Sequence, residues 1–537
     1  MPEPETKTVP LVVDVADDAA EVFLIDGDFR LVKRGVGRQT FDVPPGIYKI
    51  KCRSGRQAFE QLVVVREGMP VVQIERVRVN SAMPLEGSLR THEYHMAAAS
   101  GAATGPSVNA GTGSGIIIVA RQWTAQDPPA DRAPLPNPAH GLVLRDSAGA
   151  TVADVEEHTS FQGTGDPIVT LNVDLAPGDY CLTRTRPDGA RVCLPLVASA
   201  GWRTHVYVLV DENGVDRDAG AELVNAAITI RRPGSAFQAN DKELRDEEIA
   251  RGALRDGQNI LSAPVRAQFI APDASPMLAL IGAHLILCAA KKTAEKGKAG
   301  VASQTSDPHD LDDVRTIVTN LRAALGPHPD VEALASLCGS ANQTYVFNNP
   351  PMLRAGWAGM LDASCKRPAA VPADSNTANV AECVWGEGPW LLWMERPTMS
   401  DVERARSWQA RAREVVVTLA RERRGPAIRA AAPAPASPPA HSAPAALGER
   451  VSRASEIALE GGKSAWHRVR KLVTRRDRTP FPSFNAVAQA PATAERTAGA
   501  FRVARASLTH ANRAELVKEV GVPMSRIDAW LEGTAGE

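Results

Sequence analysis

A chain of 537 residues exceeds what one hydrophobic core organises, and at about 100–200 residues per domain it calls for three or four. Lys and Arg number 61 against 62 Asp and Glu, so a net charge of −1 excludes a global field for nucleic acid or an anionic membrane and leaves such partners only a local patch. Seven cysteines at irregular spacing, with no Cys-x-x-Cys, argue against a disulfide framework or a zinc site, and the acidic first twenty residues lack a secretory signal.

In chain order, Glu21–Ile25 reads as a strand, Asp26-Gly27-Asp28 as a turn, and Phe29–Lys33 as the return of a hairpin. Phe41–Val43, Tyr48–Cys52 and Leu62–Val65 follow with turn residues between them. Short strands at about 8–12-residue spacing predict a small sandwich over residues 10–80. The order returns further along: Leu142–Leu144 stands for Val22–Leu24, Val173 and Leu175 for Phe41 and Val43, and Pro177-Gly178-Asp179-Tyr180 for Pro45-Gly46-Ile47-Tyr48. Such a repeat predicts a second sandwich over 115–215. This Pro-Gly-x-Tyr strand entry resembles the PEGA-type and carboxypeptidase-regulatory-like β-sandwich modules. The resemblance implies non-catalytic interaction or spacer domains. In the second copy, a turn at Pro187-Asp188-Gly189 would set Cys181 opposite Cys193 on the face away from the core, as two reduced thiols or a redox-sensitive pair.

Residues 81–114, rich in Ala, Gly, Ser and Thr, read as a flexible linker. They contain His92-Glu93-Tyr94-His95, whose histidines are three apart, whereas a zincin helix needs them four apart to reach one metal from one face. A solvated or partner-contacting loop is the better expectation. The Gly111–Gly115 run precedes a strand and is read as linker, since a phosphate loop follows a strand and opens a helix.

From Asp241 the period becomes helical, with Leu244, Ile249, Ala250, Ala253 and Leu254 on one face and a stop at Gly257. A shorter helix covers Leu261–Ile270. Pro276–Ala290 holds no acid and no Lys or Arg, too few residues for a membrane span of about 20, and reads as a buried central helix closed by Lys291 and Lys292. Its His284 is a core histidine or, alternatively, a general base. Lys291–Asp307 reads as an exposed loop. Leu311 to Leu325 marks a further helix capped by Asp310 or Asp307, Asp330 begins another, and Pro350–Leu353 opens one more. Trp385, Trp390 and Trp393 form either a partner-binding hot spot or a plug that closes the helical core, the plug being preferred. A last helix is expected from Met399 or Asp401 to Arg424.

Residues 429–446 form an Ala/Pro/Ser linker. Beyond it Lys463, Arg468, Arg470, Lys471, Arg475 and Arg476 make a solvated helix face or a polyanion-binding patch. Leu516, Ile527 and Trp530 lie in a helix-turn-helix-like pattern around Gly521-Val522-Pro523, read first as a docking module and second as a DNA reader.

The expected architecture is multidomain α+β: two small antiparallel β-sandwich modules (10–80 and 115–215), an all-α domain (236–428), and a small tethered C-terminal helical module (447–537). With no recognisable reaction centre, metal site or cofactor motif, the sequence favours a cytoplasmic bacterial scaffold or adaptor with protein partners. A nucleic-acid-associated regulator and a hydrolase assembled around His92, His95 or His284 are the alternatives.

Overall fold

The computed structural model describes residues 8–395, apart from 55–56, 69–70, 75–78, 103–107, 124–136, 159–166, 212–220, 236, 299–308 and 386–387, together with 517 and 521–532. The chain divides into two compact units, residues 1–399 and 400–537. The fold is multidomain α+β.

Strands β1 (Val9–Val15), β2 (Glu21–Ile25), β3 (Leu31–Val36), β4 (Gln39–Val43), β5 (Gly46–Ser54), β6 (Gln57–Val65) and β7 (Val72–Ile74) form the first sandwich. Its sheets are ordered β4-β1-β7 and β3-β2-β5-β6. Alternation aims Leu11 and Val13 of one sheet at Val22, Leu24, Ile50 and Cys52 of the other, and these side chains make a core of their own.

Helix α1 (Glu93–Ala102) and β8 (Val108–Asn109) come next, followed by β9 (Ser114–Trp123), β10 (Leu142–Asp146), β11 (Thr151–Asp154), β12 (Ile168–Leu175), β13 (Gly178–Thr185), β14 (Arg191–Ala198) and β15 (Arg203–Asp211). The repeat seen in the sequence is a repeat of topology. Strand β9 is antiparallel to β12 and parallel to β15, as β1 is to β4 and β7. In both copies the hairpin strand pairs with the strand that follows the Pro-Gly turn, β2 with β5 and β10 with β13. The repeated tyrosine does the same work twice: Tyr48 Oη donates to Pro44 O and Tyr180 Oη to Ala176 O, each at 2.9 Å.

The helical part contains α2 (Ala221–Val224), β16 (Ala227–Arg231), α3 (Lys242–Asp256), α4 (Ala263–Ile270), α5 (Pro276–Lys298), α6 (Asp310–Leu325), α7 (Pro329–Leu337), α8 (Arg354–Lys366) and α9 (Asn376–Val380), then β17 (Val384–Trp385) and β18 (Leu392–Glu395). Helix α3 begins and ends where expected, with Asp241 accepting from Glu243 N and Gly257 in the left-handed conformation at φ 63°. Helix α5 differs from expectation. It runs past Lys291 and Lys292 to Lys298, because straight-chain Lys, Glu and Ala residues sustain a helix once it is nucleated. Helix α6 is preceded by His309, which makes no side-chain cap bond, and α7 is capped by His328 in place of Asp330. The Pro350–Leu353 stretch lies outside the helix it was expected to open, which starts at Arg354.

Two further corrections change the architecture. Residues 81–114 are not a flexible linker: Ala82, Met83, Leu85, Ala99 and Ala102 are buried in the main core. Arg121, itself fully buried, donates to the carbonyls of Ser81, Ala82 and Arg90 and fastens this segment to β9. Nor do the second sandwich and the helical domain separate. One core runs from Ile116 and Leu182 through Leu280 and Ile286 to Leu334. Strands β17 and β18, placed by sequence inside the helical domain, extend the second sandwich to the order β11-β10-β13-β14-β18-β17. The other sheet is β16-β15-β9-β12-β8.

In the second unit, α10 (Met524–Glu532) follows Gly521 at φ 75°, and Val522 and Ile527 are buried. The expected helix from Met399 or Asp401 to Arg424, the 429–446 linker and the basic run fall outside the described residues. No helix among the described residues is long and apolar enough to cross a membrane.

Candidate functional site

The first sandwich carries the most unusual surface. Its β2–β3 hairpin turns on Asp26, whose side chain accepts from Asp28 N (3.0 Å) and Arg30 N (2.8 Å), while Phe29 N donates to Asp26 O. This geometry forces the fourth residue, Phe29, to φ 62°, the one non-glycine residue at positive φ among those described. The matched turn of the second sandwich repeats each contact: Asp146 accepts from Ala148 N and Ala150 N, and the fourth residue donates to Asp146 O. There the fourth residue is Gly149, at φ 82°. Left-handed backbone strains an L-residue by about 1–2 kcal/mol and leaves glycine unstrained. The first copy therefore carries strain the second avoids, and the side chain it holds in place is a phenyl ring 82% exposed to solvent.

The ring stands at the end of an apolar field. On the outer face of the β3-β2-β5-β6 sheet, Ile25 is in register with Leu31 and Lys49, Lys49 with Leu62, and Ile47 with Val64. Leu31, Val32, Ile47, Leu62 and Val64 are exposed, Leu62 at 73%. A Cβ on Gly27 would meet Ile47 O at 3.8 Å, which places the hairpin turn beside that field.

The other half of the same face is charged and already neutralised. Glu21 is fully buried beneath Arg34 and Arg53, and both guanidiniums also sit over the Phe23 ring, at 5.3 and 5.5 Å. Glu60 binds Lys49 and Lys51, whose hydrogen bonds hold its carboxyl below the ordinary carboxylate range. What is left for a ligand is shape and apolar area rather than net charge.

The residues singled out by sequence are placed elsewhere. Trp390 and Trp393 are buried: Trp390 Nε1 donates to Ala226 O, and Trp393 lies opposite Cys193 in the β14–β18 pair, its Nε1 donating to Glu395. Trp385, half-buried in β17, and Trp393 are strand packing, whereas Trp390, bridged to Leu353 and in one core with Leu334 and Met352, closes the helical side as the plug reading expects. Ile527 is buried, and Trp530 lies on α10 with its side chain outside the described residues. Leu516, Lys463, Arg468, Arg470, Lys471, Arg475 and Arg476 also fall outside the described residues.

His95 is fully buried at the start of α1, and its Nδ1 accepts from His92 N and lies 3.4 Å from the Arg121 guanidinium. Burial first, then Arg121, pulls its pKa down to about 3. His92 instead stacks on Tyr94, with ring centroids 5.3 Å apart. His284 is buried in α5 and pulled down to about 4 by burial alone. His95 and His284 are therefore neutral, and no group of three potential metal ligands exists among the described residues.

Cys181 is opposite Pro195 and Cys193 opposite Thr183, so the thiols are diagonal neighbours and not a directly facing pair. Cys193 is also buried, because β18 covers that edge of the sheet. The residues sequence reasoning missed are Phe29, Leu31, Ile47, Leu62 and Val64. The alignment of Asp26–Phe29 with Asp146–Gly149 is the signal that finds the first of them.

No family model matches the chain, and no curated protein matches it. Among solved structures, a candidate cell adhesion protein from Bacteroides eggerthii aligns with 42% of this chain and 96% of its own, at 8% identity and a TM-score of 0.11. A likeness of that size carries no argument.

Proposed function

We propose that the chain is a scaffold or adaptor that holds a protein partner on the apolar half of the first sandwich's outer sheet. One observation carries this reading: Phe29 is kept exposed in a strained left-handed turn where the matched turn has glycine. A ring of this kind contributes nothing to its own core, whereas burying it in an interface is worth roughly 1.5–3 kcal/mol, and Leu62 adds a similar amount. The partner's contact is accordingly an aliphatic or aromatic surface of low charge. All seven cysteines are free thiols, which supports the cytoplasmic setting in which such an adaptor would work.

Affinity purification of the full-length chain and of Phe29→Gly from the native cell tests the reading. The expected result is a discrete protein recovered with the wild type and reduced at least about tenfold with the variant, from the loss of about 1.4 kcal/mol or more. Equal recovery by both forms, with Leu31→Asp also without effect, refutes it.

A further inference from the structure

We infer that β6 is completed by β6 of a second copy of this chain, the two strands paired antiparallel about a two-fold axis at Val63. The inference shares Leu62 and Val64 with the proposed partner site but not Phe29, which lies on the β2–β3 hairpin, so the two readings separate by substitution.

Strand β6 ends its sheet, and among the described residues nothing pairs with its outer edge. It is nine residues of Gln-Ala-Phe-Glu-Gln-Leu-Val-Val-Val, without the proline, lysine or bulge by which edge strands are normally protected. Phe59, Leu62 and Val64 on it are exposed. The molecule contains its own precedent for what covers such an edge. The matched strand of the second sandwich, β14, takes an added antiparallel strand, β18, with Cys193 opposite Trp393 and Arg191 ion-paired to Glu395 at 2.7 Å. The first sandwich has the same topology with the corresponding strand missing from its order.

The sequence of β6 fits itself in one register. With Val63 opposite Val63 of the second copy, Leu62 faces Val64 of that copy, and Glu60 faces its exposed Arg66; each contact occurs twice. Two aliphatic pairs and two opposite-charge pairs then flank the axis on the outer face. Shifting the axis toward the start of the strand sets Glu60 against Val64 or Leu62, a carboxylate on an aliphatic. The pairing would join two four-stranded sheets into one of eight strands, set Leu62 and Val64 in lateral contact with their counterparts, and pair the edge's unpaired backbone groups.

Sedimentation equilibrium on the full-length chain tests this. The wild type is expected to be a closed dimer, and Leu62→Glu/Val64→Glu to raise its dissociation constant by at least about tenfold. Both positions are already in solvent, so the variant keeps the fold, which circular dichroism verifies. Arg66→Glu is expected to weaken the dimer about tenfold, and Arg66→Lys to keep it. Phe29→Gly should leave the dimer intact, even where it loses the proposed partner. A wild type that stays monomeric at every concentration, a dimer indifferent to the β6 substitutions, or a dimer dispersed by Phe29→Gly overturns the inference.

Discussion

Replacing Phe29 by glycine ought to change the stability of the first sandwich little, although it removes a whole aromatic side chain. Relief of the left-handed strain is worth about 1–2 kcal/mol. Against it stands the extra unfolded-chain freedom of glycine, about 0.5–1 kcal/mol. The ring is 82% exposed, so less than a fifth of it is covered, and a full Phe burial of about 1.5–3 kcal/mol shrinks to roughly 0.5 kcal/mol. The sum lies between about 0.5 kcal/mol of destabilisation and about 1 kcal/mol of stabilisation. Gly149→Ala in the matched turn should behave oppositely and cost up to about 1.5 kcal/mol. The first sandwich holds no tryptophan, so the suitable assay is native-state hydrogen exchange followed on peptides from β2 and β5, and from β10 and β13 for the control. The variant should exchange at most about two- to threefold faster than wild type in β2 and β5. Gly149→Ala should speed exchange in β10 and β13 by up to about tenfold. If Phe29→Gly instead opens β2 and β5 more than about fivefold, the ring is packing inward and the strain argument fails.

Two more expectations concern the interior. Arg121→Leu strips the donors from the Ser81, Ala82 and Arg90 carbonyls and should cost on the order of 3 kcal/mol, with thermolysin then cutting within residues 81–91 far faster than in wild type; unchanged cleavage would show the segment is held by its apolar contacts alone. His284 has an ordinary pKa of 6.5 and a folded one near 4, so between these values the unfolded chain binds the extra proton. Its stabilising share is complete above pH 6.5 and is lost as pH falls toward 4, on the order of 3 kcal/mol in all. His284→Leu should therefore flatten the fall of the melting temperature between pH 7 and pH 4.5, and parallel curves for the two proteins would contradict the burial of a neutral imidazole.

Local signals in the sequence located what local physics decides. Asp241 and Gly257 bound α3 because a side-chain cap and a left-handed glycine act within a few residues of themselves. The Pro-Gly-x-Tyr entry exposed the repeat because each tyrosine bonds a carbonyl only four residues back. Features that depend on distant pairing were not legible. Residues 81–114 have a linker's composition, yet they are fixed by an arginine on β9 that no local pattern connects to them. Trp393 signals either an interface or a core, and a four-residue strand has too short a period to announce that it joins a sheet. At the candidate site, Phe29 looked like the first residue of a returning strand, and only the glycine in its counterpart reveals that it occupies a turn position where a side chain is strained.

The β14–β18 pair bears on how the chain comes to be folded at all. Cys193 meets Trp393, a separation of 200 positions, so the outer edge of the second sandwich closes only after the whole helical segment has been made. The first sandwich owns its core, and only its Asp17–Ala19 loop waits on downstream Arg245 and Ser262. A growing chain thus presents one finished sandwich and one with an open edge, and the β14 edge is the stretch most exposed to mispairing until residues 392–395 arrive. Premature termination anywhere between the two strands would leave that edge permanently bare.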